Sequence, residues 1–141
     1  MLLFDVNIYV HAHREDSPLH GKCKSFLVEN LEEEGLSGYA PHALAGFIRI
    51  VTHPKIFDPP SGVEKALAFC ETITEAANTV EILPEASHWK IFTHLIRIYR
   101  CKGNLIPDVW FAALAIEHGC TWVTTDRDYS RFEGLKTRYI G

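Results

Sequence analysis

Three things this sequence has little of narrow its class at once. It has no basic excess: 14 Lys and Arg stand against 18 Asp and Glu, a formal charge of -4. Proteins that hold nucleic acid by bulk electrostatics carry a net basic footprint, so only a local basic rim is compatible with that balance. It has no paired cysteines. Cys23, Cys70, Cys101 and Cys120 are far apart, which argues against a disulfide framework and a zinc-ligand spacing and for a reduced compartment. It has no long hydrophobic run either: the longest, Val109 to Ile116, is far too short to cross a bilayer. Met1 leads straight into apolar sequence with no basic leader, so the expectation is a soluble, cytoplasmic chain with no membrane contact.

What is present is an ordinary globular composition, 47% apolar and 23% charged over 141 residues, which predicts one domain spanning 1–141. The run Leu2 to Phe4 is apolar without alternation and ends on Asp5, as a central strand of a covered parallel sheet does. Helical spacing follows from Val6 to Ala12, and again from near Pro18, where Cys23, Phe26, Leu27 and Leu31 recur, until the acidic run Glu32 to Glu34 and Gly35. Leu36 to Ala40 reads as a second strand, and Pro41 to Val51 as a helix that stops before His53 and Pro54. Ser61 is placed as the N-cap of a helix running to about Ala77.

Val80 to Leu83 reads as a third strand. Pro84 and Glu85 open a helix whose buried face is expected to carry Trp89, Phe92, Ile96 and Tyr99. Pro107 and Asp108 open the most apolar helix, which Gly119 ends, and Cys120 to Thr124 and Thr137 to Ile140 supply the last strands. Strand and helix alternate throughout, so the class is α/β with a mainly parallel sheet of four or five strands covered on both faces. Trp89, Trp110 and Trp122 all fall within core elements and read as packing. His11 and His13, two apart on a helix, point away from each other and make a poor chelate.

On this outline three acids arrive at equivalent places: Asp5 after the first strand, Asp126 after the fourth, and Asp108 at the start of a buried helix. Singly each has a bland role, Asp108 as a helix cap and the others as turn residues. Together they would repel and raise one another's pKa unless a cation neutralised them. An all-oxygen set selects a hard ion, Mg²⁺ or Mn²⁺, and suits metal-assisted phosphodiester cleavage.

The opening LLFDVNIYV, the segment PHALAGFIRIVTHPKIF and the ending IPDVWFAALAIEHGCTWVTTDRDYSRFEGL resemble the PIN-domain ribonucleases, specifically the toxin half of VapBC-type toxin–antitoxin pairs. The resemblance implies a three-layer α/β/α fold and a Mg²⁺- or Mn²⁺-dependent endoribonuclease that cuts structured cellular RNA of the tRNA or rRNA class. It also implies a homodimer silenced by a cognate antitoxin protein. By motif matching, Asp5, Asp108 and Asp126 are the catalytic, metal-binding acids and Asp128 an auxiliary ligand. Asn7 and Thr124 or Thr125 are the supporting groups that hold a carboxylate or water. Arg49 reads first as a structural arginine and second as an RNA-phosphate contact, and Arg127 leads a basic rim with Arg131, Lys136 and Arg138.

One position departs from the family pattern. Gly46 stands where many members carry a helix glutamate, and the nearest acids along the chain, Glu34 and Asp58, are too distant to substitute. The glycine leaves room that His42 or a water fills. The alternative reading is therefore a PIN-like module that binds RNA or protein with weakened or lost catalysis. A phospho-aspartate enzyme also presents an Asp after its first strand, but a haloacid-type phosphatase wants a second Asp where Asn7 stands.

Overall fold

The computed structural model describes residues 1–33 and 35–141; Glu34, the last of the acidic run, lies outside them. In order the elements are β1 (Leu2–Phe4), α1 (Val6–His13), α2 (His20–Glu32), β2 (Ser37–Tyr39), α3 (Pro41–Val51) and α4 (Val63–Thr74). They continue as β3 (Thr79–Glu81), α5 (His88–Tyr99), α6 (Ile106–His118), β4 (Thr121–Thr124) and β5 (Lys136–Tyr139), with 3-10 turns at Gly103–Leu105 and Arg127–Arg131. The five strands form one sheet in the order β3-β2-β1-β4-β5, and every neighbouring pair is parallel.

Helices cover the sheet in two groups. Chain order runs outward from β1 to β3 through α1 to α4, then returns past β1 to β4 through α5 and α6, and right-handed crossovers put the two sets on opposite faces. The contacts agree: α1 touches α2 and α3, α3 touches α4, and α5 touches α6. Between β1 and β4 the strand order reverses, and the crevice beyond the C-terminal ends of strands at such a point is where open α/β sheets bind ligands. Asp5 and Asp126 follow these two strands.

The core that fixes this point is apolar on both sides of the sheet. Leu3, Ile8, Tyr9, Phe47 and Val51 are fully buried, as are Trp122 and Val123 across β1. Helix α6 buries Val109, Phe111, Ala112, Ala113, Leu114 and Ala115, so small residues let it lie close to its neighbours. It ends as its sequence predicts, with Gly119 at φ 66° and its N–H bonded to the Ala115 and Ile116 carbonyls. All four cysteines are buried and free.

Two sequence expectations need correcting. Helix α4 starts at Val63 with Gly62 as N-cap, not at Ser61, because the Ser61 hydroxyl is taken by His13 Nε2 at 2.9 Å and Arg14 Nη1 at 3.2 Å. Trp89 is 65% exposed, since the buried side of α5 runs through His88, Phe92 and Leu95 and leaves Trp89 about 100° round the helix. Trp122 is fully buried and Trp110 half-buried, as packing requires. The expected parallel sheet of four or five strands is observed with five, and each neighbouring pair runs parallel.

Gly38 in β2 shows how closely the layers approach: a Cβ there would stand 2.7 Å from Ile82 Cγ1, whereas one on Gly21 in α2 would meet nothing within 4 Å. Gly38→Ala is therefore expected to destabilise the fold by about 1–3 kcal/mol through overpacking. Gly21→Ala should stabilise it by about 0.5 kcal/mol through lower unfolded-chain entropy. Urea denaturation of the two variants checks the opposite signs.

Candidate functional site

Asp5 is carried to the crevice by β1, whose register against β4 is continued by the Asp5 N–H to the Val123 carbonyl at 2.9 Å. Asp5 is 5% exposed, and although it stands at the N-cap of α1 its carboxyl makes no N-cap hydrogen bond there beyond the local one from the Val6 backbone N–H. Its partner is Thr124 at the end of β4. The fully buried Thr124 hydroxyl donates to Asp5 Oδ2 at 2.7 Å and accepts from the Asp126 N–H at 3.0 Å. One hydroxyl thus ties the first acid to the backbone of the third.

Asp108 lies in the first turn of α6, placed there by Pro107, and its carboxylate does not cap the helix. Oδ1 instead accepts from the Tyr129 hydroxyl at 3.2 Å. Asp126 caps the short 3-10 turn after β4, its Oδ1 accepting from the Asp128 N–H at 2.9 Å, so here the structural role is realised for one oxygen. Asp128 is exposed and faces Arg131, with Nη2 at 3.9 Å.

Burial pushes the Asp5 carboxyl up from 3.8 to about 6, partly offset by the Thr124 hydroxyl and reinforced by the charges of Asp108 and Asp126. Asp108 is raised too, first by burial, with the Tyr129 hydroxyl and the Arg131 charge opposing and Asp126 and Asp128 adding. The three acids therefore feel one another across the crevice. Among the described residues none of the three forms an ion pair, and no three His, Cys, Asp or Glu side chains stand close enough to make a closed chelate. The set is all-oxygen and mutually repelling, with Arg131 the one cation that eases the charge on Asp108 among the causes of its shift, and oxygen donors of this kind are what a hard divalent cation fits.

A cavity of about 330 Å³ opens in front of Asp5 and Asp108, and its far wall is α3. His42, Gly46 and Arg49 line that wall at helical spacing, and Asn7 stands beside Asp5. No acid comes from α3. His42 sets its ring edge-on to Phe111 at 5.4 Å, and a Cβ on Gly46 would lie 3.2 Å from Val6 Cγ2. Arg49 is exposed on the cavity rim and forms no ion pair among the described residues, so the structural pairing first expected of it is not what holds it. A larger groove of about 740 Å³ runs along α5 from Lys90 to Tyr99, away from these acids.

A PIN domain family profile matches residues 2–135. The chain belongs to the PIN-domain family. It is 33% identical to "Ribonuclease VapC43" of Mycobacterium tuberculosis over 139 residues, 99% of this chain and 95% of that protein. It is 31% identical to "Ribonuclease VapC48" of the same organism over 136 residues, 96% of this chain and 94% of that one. The fold is that of VapBC2 from Rickettsia felis, crystallised with a DNA fragment from their promoter, at a TM-score of 0.68, 17% identity and coverage of 98% and 97%. It is also that of Mycobacterium tuberculosis VapC20, described as a sarcin-ricin loop cleaving toxin, at a TM-score of 0.64, 12% identity and coverage of 93% and 94%. The PIN-like three-layer α/β/α architecture expected from the sequence is the one observed.

Within this PIN domain the structure distinguishes among the supporting residues. Thr124 bonds Asp5, whereas Thr125 makes no such contact among the described residues. Arg127 lays its guanidinium over the Tyr139 ring at 4.5 Å on β5. Tyr129 is the participant that sequence reasoning missed. The sequence signal for it is an aromatic hydroxyl three residues after Asp126.

The raised Asp5 pKa has a sign. The native carboxyl keeps its proton up to about pH 6, while the unfolded one releases it near 3.8, so the native state binds more protons between these values. Stability from this group therefore falls as pH rises from about 4 to 6, by about 3 kcal/mol, and stays low above. In EDTA, Asp5→Asn should match the wild type near pH 4 and be more stable by about 3 kcal/mol at pH 7.5. Guanidinium denaturation across that range checks the divergence.

Proposed function

We propose that this PIN domain is a Mg²⁺- or Mn²⁺-dependent endoribonuclease, the toxin of a toxin–antitoxin pair, acting on structured cellular RNA of the tRNA or rRNA class in the cytoplasm. The observation that carries the reading is that Asp5, Asp108 and Asp126 act on one another electrostatically at the strand-order reversal, with no ion pair formed by any of the three among the described residues. The ribonuclease names of relatives that cover nearly the whole chain support it.

Asp5, Asp108 and Asp126 would hold the cation, with Asp128 as the outer, solvent-facing acid. When bound, the cation supplies activation of water and screening of the phosphodiester transition state. The chain's own residues do the rest. Thr124 keeps Asp5 and the Asp126 backbone in fixed relation, burial strengthens every charge interaction at Asp5, and Asn7 offers a neutral amide at the cavity wall. Arg49 on the opposite wall meets the RNA phosphates, and Arg127, steadied on Tyr139, contributes an outer contact. With no acid from α3, the cation load falls on the β1, β4 and α6 side alone.

The partners follow from the same chemistry. The protein acts as a homodimer, and its antitoxin places an arginine among the carboxylates, where a guanidinium satisfies their charge in place of the metal. No helix of the described residues is long and apolar enough to cross a membrane.

Purified protein incubated with total RNA should cleave it with Mn²⁺ or Mg²⁺ and stop in EDTA. Asp108→Ala should lower the rate at least about 100-fold, beyond the 10–100-fold typical of outer-shell partners of a metal. RNA retained on the protein with no metal-stimulated cleavage would instead establish the non-cutting module that Gly46 motivates.

A further inference from the structure

With a formal charge of -4, the chain repels a phosphate backbone except where cations are placed to meet it. At the crevice one such place is Arg49 on α3. The opposite side is the turn from α5 into α6. Helix α5 ends on Arg100, whose N–H goes to the Ile96 carbonyl, and the Cys101 N–H goes to the same carbonyl at 3.0 Å. Cys101 is buried, Lys102 leads the 3-10 turn Gly103–Leu105, and that turn runs directly into α6 and Asp108. The turn therefore lies at the same end of the fold as the acids. The Arg131 charge acts on both the Cys101 thiol and the Asp108 carboxyl, so turn and acid lie within reach of one guanidinium.

Arg100 and Lys102 flank the buried Cys101 and are both exposed. Neither forms an ion pair among the described residues, whereas Arg131 is engaged with Asp128, its Nε donating to that residue's carbonyl at 3.1 Å. Arg100 also stands at φ 52°, the one non-glycine residue at positive φ among the described residues. Helices commonly end on glycine in this conformation, because a Cβ there is costly. Nor does the helix end need Arg100 for its charge, since Arg97 already supplies a cation in the last turn of α5. An exposed arginine in a glycine's position, beside an exposed lysine and next to an acidic crevice, is unexplained by packing or by pairing.

We propose that Arg100 and Lys102 form a second phosphate-contact edge for RNA, on the α6 side of the crevice and across it from Arg49. A strand lying in the crevice is then held by cations on both sides of the acids, which offsets the repulsion its phosphates meet there. The inference rests on the reading of RNA as the substrate and goes beyond it by naming the surface that binds the strand. It needs no bound metal.

The test is fluorescence anisotropy of a fluorescein-labelled poly-uridine oligonucleotide in EDTA, with KCl varied, for the wild type, Arg100→Gly, Lys102→Gln and Arg97→Gln. Arg100→Gly and Lys102→Gln should each weaken binding and make the plot of log Kd against log salt shallower by about 0.7 to 1. Arg97 lines the groove along α5, away from the acids, so Arg97→Gln should leave the slope unchanged. Thermal melts should show Arg100→Gly at least as stable as the wild type, because glycine takes φ 52° without a Cβ. An unchanged slope in Arg100→Gly and Lys102→Gln overturns the inference and leaves the RNA reading standing. An equal loss in Arg97→Gln also overturns it, since net charge rather than place would then govern binding. Should Arg100→Gly not fold, Lys102→Gln decides alone. A wild type with no salt-sensitive RNA binding removes the RNA reading and this inference with it.

Discussion

The site depends on one buried hydroxyl. Thr124 has no exposed surface, donates to the Asp5 carboxylate and accepts from the Asp126 amide, so the ends of β1 and β4 are joined by a side chain as well as by the sheet ladder. Two acids that repel are thereby held on adjacent strands with a fixed offset. Removing the hydroxyl leaves a buried carboxylate without its donor, and such a loss costs more than the bond itself contributes. The parallel register of β1 with β4, from Leu2 opposite Thr121 to Phe4 opposite Val123, is what brings Thr124 level with Asp5.

The electrostatics follow from that geometry. Asp5 is deep enough for burial to dominate its titration, Asp108 is half-buried behind it, and Asp128 is exposed, so charge is graded from the sheet outward. The opposite wall of the cavity carries His42, Gly46 and Arg49, with no acid. The crevice is thus asymmetric, anionic where strands end and cationic where α3 passes. An RNA backbone lying between them would have its phosphates beside the Arg49 wall and the carboxylates opposite, as the proposed function requires.

Much of this was legible in the sequence because the informative residues obey local rules. An apolar run that ends on Asp5, a Pro107–Asp108 helix start and the C-cap glycine at 119 each declare their place by chemistry within a few residues. The parallel sheet was legible from the alternation of strand and helix, although β3 is half-exposed at the sheet edge and gave only a short apolar signal. What was not legible depends on angle and on distant partners. Trp89 looks like core by composition, but one position along α5 turns it to solvent. Ser61 is a good cap in isolation, yet His13 and Arg14, nearly fifty residues earlier, claim its hydroxyl. Tyr129 could be read as packing from its neighbours in sequence; only the fold places its hydroxyl on Asp108.

The central claim is that the buried Asp5 and the half-buried Asp108 and Asp126 at the β1–β4 reversal, none of them in an ion pair among the described residues, are held for a divalent cation, and the Asp5 carboxyl reports on it directly. Its ¹³C chemical shift followed through a pH titration, with and without MgCl₂, separates burial from cation binding. The account predicts a midpoint of about 6 without Mg²⁺ and a clear fall when Mg²⁺ is added, because the ion favours the charged form. A midpoint near the ordinary 3.8, or one near 6 that Mg²⁺ does not move, would contradict it.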